Sequence, residues 1–305
     1  MTGVLSGFAT IAVVVGLGMV LARGRVLDEP GLRTLQAVAF FLASPALLFT
    51  VLQDSEVTDL FSGTFLALAA GVVATGACTL VVSRLQRRDA GSTVVAALCS
   101  SYCNAGNLGI PIAFYVLGDA ALVAPVLLLQ LVVLQPLALT VLDAVAAPEP
   151  LPLRRVLTRP LRNPITIASL AGVVVALTQV DVPAAVLDPL ELVGGLAVPA
   201  MLLAYGAALW LGPLPGRGVR PTDLGVAVGL KLLVQPLAAY AVGRATGLDD
   251  TALLAVTVIS ALPTAQNVYV IATRYGREEL LARDAIFVST LGCVPVVTVI
   301  VALLA

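Results

Sequence analysis

Two short stretches concentrate the residues able to do chemistry. One reads S-S-Y-C-N-A-G-N-L-G-I-P from Ser100 to Pro111, the other S-A-L-P-T-A-Q-N-V-Y from Ser260 to Tyr269. The first sets Asn104, Asn107, Gly106, Gly109 and Pro111 inside an otherwise apolar segment, and the second does the same with Pro263, Thr264, Gln266 and Asn267. A proline deletes one backbone donor and clashes with the preceding turn, so both segments are expected to kink or unwind and to free N–H and C=O groups. The neighbouring amides and hydroxyl can meet those groups, and can equally bind a polar ligand. That is the chemistry of recognition, not of bond making. For either stretch alone, a structural kink glued by amides reads as well as a binding site.

A third candidate is Lys231, near the middle of the apolar stretch 222–244, where a basic residue costs about 2.5–3.5 kcal/mol to insert. It needs a partner or a pathway. Its charge could attract an anionic substrate or take the place of a coupling cation; it could also be a structural lysine bound to backbone carbonyls of the two unusual stretches. Catalysis is not expected. The chain has no His, which removes the common nucleophile pairs and zinc sites, and the remaining dyad, Lys231 with Ser100 or Ser260, has no spacing to support it. The four cysteines, Cys78, Cys99, Cys103 and Cys293, lie in apolar segments without C-x-x-C spacing and read as packing residues, so neither a metal nor a cofactor is expected.

The elements that position these residues must sit in lipid. Of 305 residues 59% are hydrophobic and 11% charged, against about 25% charged in soluble domains, and the mean hydropathy is +1.04. A water-soluble globule is excluded. The net charge of −1 gives no nucleic-acid footprint. Apolar stretches fall at 4–22, 31–52, 60–83, 92–117, 120–142, 164–180, 185–211, 222–244, 251–274 and 281–304, which predicts an all-α integral membrane protein of ten transmembrane helices. The first stretch is expected to be a retained helix rather than a signal peptide, because Arg23 and Arg25 follow it and no basic residue precedes it.

Charge sorts the loops. Arg23, Arg25, Arg33, Arg84, Arg87, Arg88, Arg154, Arg155, Arg159, Arg162, Arg217, Arg220, Arg274, Arg277 and Arg283 fall on one side, 15 of the 17 basic residues. The opposite loops carry Asp54, Glu56, Asp59, Asp119, Asp181, Asp249 and Asp250, with Arg244 their one cation. The positive-inside rule makes the basic side cytoplasmic and puts both termini outside.

An internal repeat links the halves. S-P-A-L-L at Ser44 to Leu48 returns as V-P-A-M-L at Val198 to Leu202, with Pro45 and Pro199 154 residues apart. Gly18 pairs with Gly172 and Gly71 with Gly225 at the same offset, while Pro111 and Pro263 stand 152 apart. Five helices per half invert the second copy, giving repeats over 1–150 and 151–305. Helix 4 is then the counterpart of helix 9, and Gly/Pro-interrupted segments in corresponding positions of two halves point to a transport site.

At these residues the chain resembles a known family. N-A-G-N-L-G-I-P at Asn104 to Pro111, L-Q-L-V-V-L-Q at Leu129 to Gln135, S-P-A-L-L-F at Ser44 to Phe49, K-L-L-V-Q-P at Lys231 to Pro236 and S-A-L-P-T-A-Q-N-V-Y-V-I-A at Ser260 to Ala272 are similar to the auxin efflux carrier family. The chain looks like a bacterial member related to the plant auxin (PIN-type) carriers. The resemblance implies two inverted five-helix repeats of the bile-acid-symporter/NhaA-like kind. Helices 1, 2, 6 and 7 would form a scaffold, often a homodimer, and helices 3–5 and 8–10 a transport domain, with broken helices 4 and 9 crossing at Pro111 and Pro263. It implies a small organic anion as substrate and elevator-like movement. By position, Asn104 matches an amide that lies against the substrate carboxylate and Gln130 a second polar contact.

The expected substrate contacts are therefore Asn104, Asn107, Gln130, Lys231, Thr264, Gln266 and Asn267. By residue type alone Gln130, Gln135 and Tyr102 could line the path or pair between helices, and Ser44, Pro45 and Pro199 are expected to shape helices rather than touch substrate. No carboxylate lies near a helix centre, Asp143 and Asp223 being taken as the nearest, which favours a uniporter, or coupling through Lys231 or polar oxygens, in the cytoplasmic membrane. A substrate-sensing receptor and another kind of ten-helix exporter are the rivals.

Overall fold

The computed structural model describes residues 2–54, 63–109, 112–147, 164–212 and 214–304. Pro111, Glu56, Asp59 and the basic residues Arg154, Arg155, Arg159 and Arg162 lie outside them, as does the side chain of Asn107. The described elements are α1 (Thr2–Arg23), α2 (Glu29–Gln53), α3 (Gly63–Leu85), α4a (Ala90–Ser101), α5 (Pro125–Val145), α6 (Pro164–Thr178), α7 (Ala184–Leu211), α8 (Pro221–Ala245), α9a (Asp250–Ser260), α9b (Gln266–Tyr275) and α10 (Glu279–Leu304). Two wide turns, Ala105–Gly109 and Ala113–Leu117, continue the chain beyond α4a and are called α4b. Six of these helices, α2, α3, α5, α7, α8 and α10, are long and apolar enough to cross a membrane. The chain is a mostly helical membrane protein.

Local sequence explains where helices begin. Asp28, Asp89 and Asp249 cap α2, α4a and α9a, each accepting from a first-turn backbone N–H. Three of the prolines within helices share a signature, which Pro189, Pro199 and Pro295 do not show. A wide π-type turn stands immediately before Ser44-Pro45 in α2, Gln135-Pro136 in α5 and Gln235-Pro236 in α8. Proline has no N–H to give the carbonyl four residues back and its ring presses on that carbonyl; the wider turn relieves both.

Small residues decide which helices touch. At the α1–α7 contact a Cβ on Gly18 would fall on the Leu203 carbonyl, and one on Gly206 on the Val15 carbonyl. At the α2–α6 contact a Cβ on Gly172 would lie 2.9 Å from Phe49 O, and at the α3–α8 contact one on Gly71 would lie 2.8 Å from Gln235 O. Backbones thus approach closely, which is how helices bind one another when lipid is as apolar as their side chains. The contacts sort into two groups: α1, α2, α6 and α7 pack together, and α3, α4a, α5, α8, α9a, α9b and α10 pack together. Large apolar side chains such as Leu66, Val73, Leu80, Leu233, Leu237 and Leu291 face outward, as a lipid-solvated surface requires.

One expectation is corrected. Arg283, counted among the cations around a turn, lies inside α10 at 1% exposure and pairs with Asp284, itself fully buried, at 2.6 Å. Gly216 N donates to Asp284 Oδ2 (2.7 Å), and the Tyr205 hydroxyl donates to Arg283 O (3.0 Å). The connection after α7 folds over the pair, which is why a residue read as a loop cation is buried. Asp284 also lies further inside its helix than Asp223 does in α8.

Candidate functional site: the paired breaks and their cavity

Both unusual stretches are broken. α4a stops at Ser101 and helical structure resumes at Ala105; α9a stops at Ser260 and resumes at Gln266. The extended residues between them lie antiparallel, with Cys103 bridged to Thr264. Asn104 N donates to Pro263 O (2.8 Å) and Ala265 N to Tyr102 O (3.1 Å).

Each break separates helical donors from their acceptors, and beyond the backbone bonds just given, side chains meet one such pair in each break. In an unbroken helix Cys103 N–H would donate to Cys99 O, and Thr264 N–H to Ser260 O. Instead Cys103 N donates to Gln130 Oε1, while Cys99 O accepts from Thr264 Oγ1 (2.6 Å). In the second break Thr264 N donates to Ser289 Oγ (3.0 Å), while Ser260 O accepts from Lys231 Nζ (2.8 Å). Ser101 O accepts from Gln235 Nε2 (2.9 Å). Unpaired backbone groups in a low-dielectric interior cost several kcal/mol each, so these side chains make the breaks tenable.

A cavity of about 280 Å³ opens beside the breaks. Its polar wall is Asn104, Gln130, Gln135, Gln266, Asn267 and Tyr102, and its opposite wall is supplied by Phe40, Ser44, Leu47 and Leu48 of α2, Ile165 of α6, and Val198 and Met201 of α7. The cavity therefore lies between the two groups of helices. Tyr102 OH donates to Gln135 Oε1 (2.6 Å), which also accepts from Asn267 Nδ2 (3.2 Å), so Tyr102 and Gln135 both pair and line the space. α9b begins at this wall, and its N-cap residue Ala265 offers no side-chain hydrogen bond to the first turn. A helix N-terminus presents N–H groups and a partial positive charge to whatever occupies the cavity.

Of the residues expected to touch substrate, Asn104, Gln130, Gln266 and Asn267 line this cavity together, with Gly106 at its edge. Thr264 and Lys231 do not line it; both are fully buried behind it and hold the breaks. Gly109 packs against Leu262 and Val123 instead. Ser44, expected only to shape its helix, lines the cavity, and Cys103, expected only to pack, lines it and accepts from Lys231 Nζ (3.2 Å). Gln235 and Ser289 were not singled out. Gln235 had a signal, since it stands four residues after Lys231 on one helix face; Ser289, a lone serine in an apolar helix, had none.

At the basic end, Asp89 caps α4a and holds Arg277 at 3.6 Å. The Ser92 hydroxyl and backbone N–H, then Arg277 and the Gly91 N–H, keep its carboxyl below the ordinary value of 3.8 despite an opposing burial effect. Arg88 pairs with Asp223 at 2.5 Å, and Gln86 Nε2 donates to the same carboxylate (2.8 Å).

Comparison with known proteins places this architecture. A family model described as "Membrane transport protein" matches residues 4–142 and 148–301. A protein of Rhizobium meliloti (strain 1021) named "Putative malonate transporter" is 27% identical over 286 residues, covering 90% of this chain and 88% of its own. An "Uncharacterized transporter" of Methanothermobacter thermautotrophicus is 25% identical over 288 residues, covering 92% of each. With the match spanning nearly the whole sequence, the chain belongs to the membrane transport protein family, that of the auxin efflux carriers.

Proposed function

We propose that the chain carries a small organic anion, a carboxylate, across the cytoplasmic membrane, and that the cavity beside the paired breaks is its site. The observation that carries this reading is the wall of four amides, Asn104, Gln130, Gln266 and Asn267, set at the start of α9b and faced by an apolar surface. Amide N–H groups and a helix N-terminus favour a carboxylate, and the apolar side suits a short carbon skeleton. A space of about 280 Å³ lies at the lower edge of small-molecule sites, which fits a compact acid. The malonate name carried by one relative supports the same class.

The site lies where the α1–α2–α6–α7 group meets the rest of the chain. The first group is read as scaffold, dimeric through its outer face, and the second as the body that carries the amides past it in an elevator-like step. Asn107, Thr264 and Lys231 belong to the moving body, the last two as supports of the site. Both termini face outward, and the 1–150 and 151–305 halves are inverted copies.

The test is uptake of labelled malonate, malate, lactate and indole-3-acetate into proteoliposomes. Losing one hydrogen bond to a charged ligand costs about 1.5–3 kcal/mol, so Asn104→Ala lowers flux of the preferred anion about 10- to 100-fold. Undiminished flux in that variant, or binding of an anion with no flux in the parent chain, would overturn the reading, the second in favour of a receptor.

A further inference from the structure

When two groups of helices slide past each other, the connections that join them must give. Of those connections, the one after α7 lies almost wholly within the described residues; it leaves the α1–α2–α6–α7 group at Gly212 and joins the other group at α8. Its bonds are not shared evenly. Gly216 N donates to Asp284 Oδ2 (2.7 Å) in α10. A little further on, Asp223 in the first turn of α8 pairs with Arg88 at 2.5 Å and accepts from Gln86 Nε2 (2.8 Å), both just past the end of α3. Among the described residues no hydrogen bond or ion pair runs from the stretch 214–220 onto α1, α2, α6 or α7. The stretch is also stiffened within itself, by a turn that Arg217 N closes on Leu214 O (2.9 Å), with Gly216 at φ +83° where a side chain would be strained. It is a strap tied to one side.

Asp284 has the chemistry to hold it. The residue is fully buried, and its two oxygens divide the work: Oδ1 takes the Arg283 guanidinium, with Nε at 2.7 Å and Nη2 at 2.6 Å, and Oδ2 takes the strap. A hydrogen bond to an ionised acceptor is about twice as strong as a neutral one, and at a buried acceptor water does not compete for it. The hold of the same cluster on α7 is weaker. The Tyr205 hydroxyl donates to Arg283 O (3.0 Å), a neutral bond. Arg283 Nη1, from which a Cβ on Gly212 would lie 2.5 Å away, is buried and has no hydrogen-bond partner, so the guanidinium stands at the end of α7 without bonding to it. If the two groups part, the neutral bond yields before the charged one.

We propose that Asp284 is a positioning residue of the transport step: it fastens the α7–α8 strap to the moving body and confines the hinge to the stretch between Leu211 and Gly216. The Tyr205 hydroxyl on Arg283 O is then a scaffold contact that releases when the body moves. The proposal rests on the elevator reading given above. It accounts for an acid and a base kept buried side by side on one helix, since Arg283 neutralises the carboxylate through one oxygen and leaves the other for the strap. It also accounts for the extended residue Gly212, which ends α7 at the place where the chain has to bend.

The experiment reads distances between paired nitroxide labels by pulsed electron resonance in proteoliposomes, on a chain carrying Cys78→Ala, since Cys99, Cys103 and Cys293 are buried. Three exposed positions take the labels through Arg217→Cys on the strap, Arg84→Cys on the body and Arg33→Cys on the scaffold. Each pair is measured without anion, with malonate, and with Tyr205→Phe. The 84–33 and 217–33 pairs are expected to show a second population displaced by about 5 Å or more, the scale of one element shifting a helical turn past another, and Tyr205→Phe is expected to enrich it. The 217–84 pair is expected to keep one narrow population throughout. Arg283→Met combined with Asp284→Leu removes the fastening without stranding a charge; there the 217–84 population is expected to broaden while the thermal midpoint stays near that of the parent. Should that double variant fail to fold, the three distances in the parent chain and in Tyr205→Phe still decide. A second 217–84 population in the parent chain, or a folded double variant in which that pair stays narrow, overturns the proposal. A single, unmoved 84–33 distance under every condition overturns the elevator reading, and the proposal with it.

Discussion

The two halves of the first broken hydrogen bond can be removed one at a time. Thr264→Val keeps the side-chain shape and deletes the donor to Cys99 O (2.6 Å); Gln130→Leu deletes the acceptor of Cys103 N–H. Each leaves one buried backbone group bare. Such groups cost about 1–3 kcal/mol in protein interiors, and interhelical hydrogen bonds in membranes average about 0.6, so about 1–2 kcal/mol is expected for each. At about 2–4 °C per kcal/mol, each single variant melts about 2–8 °C lower. The double variant is the informative one. Cys99 O and Cys103 N are the two ends of one regular helical bond, and with both side-chain partners gone they can close on each other. The double variant is therefore expected to lose less than the sum of the singles, by about 1 kcal/mol. Thermal midpoints by circular dichroism in detergent read the cycle, with Thr264→Ser as the control that keeps the hydroxyl and stays near the parent. A double variant that loses the full sum or more, or a Val variant equal to the Ser variant, would refute the assignment of these side chains to the broken bond.

Other predictions follow from the same geometry. Asp284→Leu strands a buried guanidinium and is expected to destabilise by about 3–5 kcal/mol, while Arg283→Met with Asp284→Leu regains most of the loss, both read as midpoints in detergent. Gly206→Leu puts a side chain where Val15 O lies and should separate α1 from α7, seen as loss of monodisperse protein, with Gly225→Leu, which meets open space, as the tolerated control. Asp89 has a folded-state pKa below its unfolded value, so its contribution is fully present above 3.8 and is lost as pH falls through the lower, folded value. The gap in melting temperature between the parent and Asp89→Ala should accordingly be constant from neutral pH down to the ordinary carboxylate value and close only below it.

The fold was legible wherever lipid imposes a rule. Apolar length marked α2, α3, α5, α7, α8 and α10, and Pro263 with its flanking polar residues marked the second break, because a polar residue in an apolar span has few reasons to be there. The first break falls at Tyr102 to Asn104, several residues before Pro111, which lies outside the described residues. Asn104, Gln266 and Asn267 could be gathered as polar residues in apolar spans, whereas Gln130 came in through the family resemblance; all four line the one cavity. Sequence could not tell which polar side chains would face the ligand and which would face the backbone, since both tasks call for the same amides and hydroxyls. Thr264 and Lys231 took the backbone, and only three-dimensional placement separates them from Asn104. The apolar half of the cavity was invisible for the opposite reason. Phe40, Leu47, Val198 and Met201 look like any other lipid-phase residues, and Ser44 looks like a companion to its proline. Arg283 misled because a cation near a turn normally reports an aqueous loop, and its neighbour Asp284 permits burial.

The exchange of partners between the breaks has a consequence for how the protein is made. Cys99 O and Asn104 N, in the first half of the chain, are satisfied by Thr264 and Pro263, about 160 residues later in synthesis. Until that later segment has entered the bilayer, the break between α4a and α4b has groups that neither lipid nor its own helix can satisfy. The nascent first half must therefore hold this segment in some other form, either as a continuous helix with Cys103 N on Cys99 O or shielded by the insertion machinery. In either case the native crossing is a late step completed by the arrival of the second interrupted segment, so the order of insertion, and not only the final packing, is written into the pair.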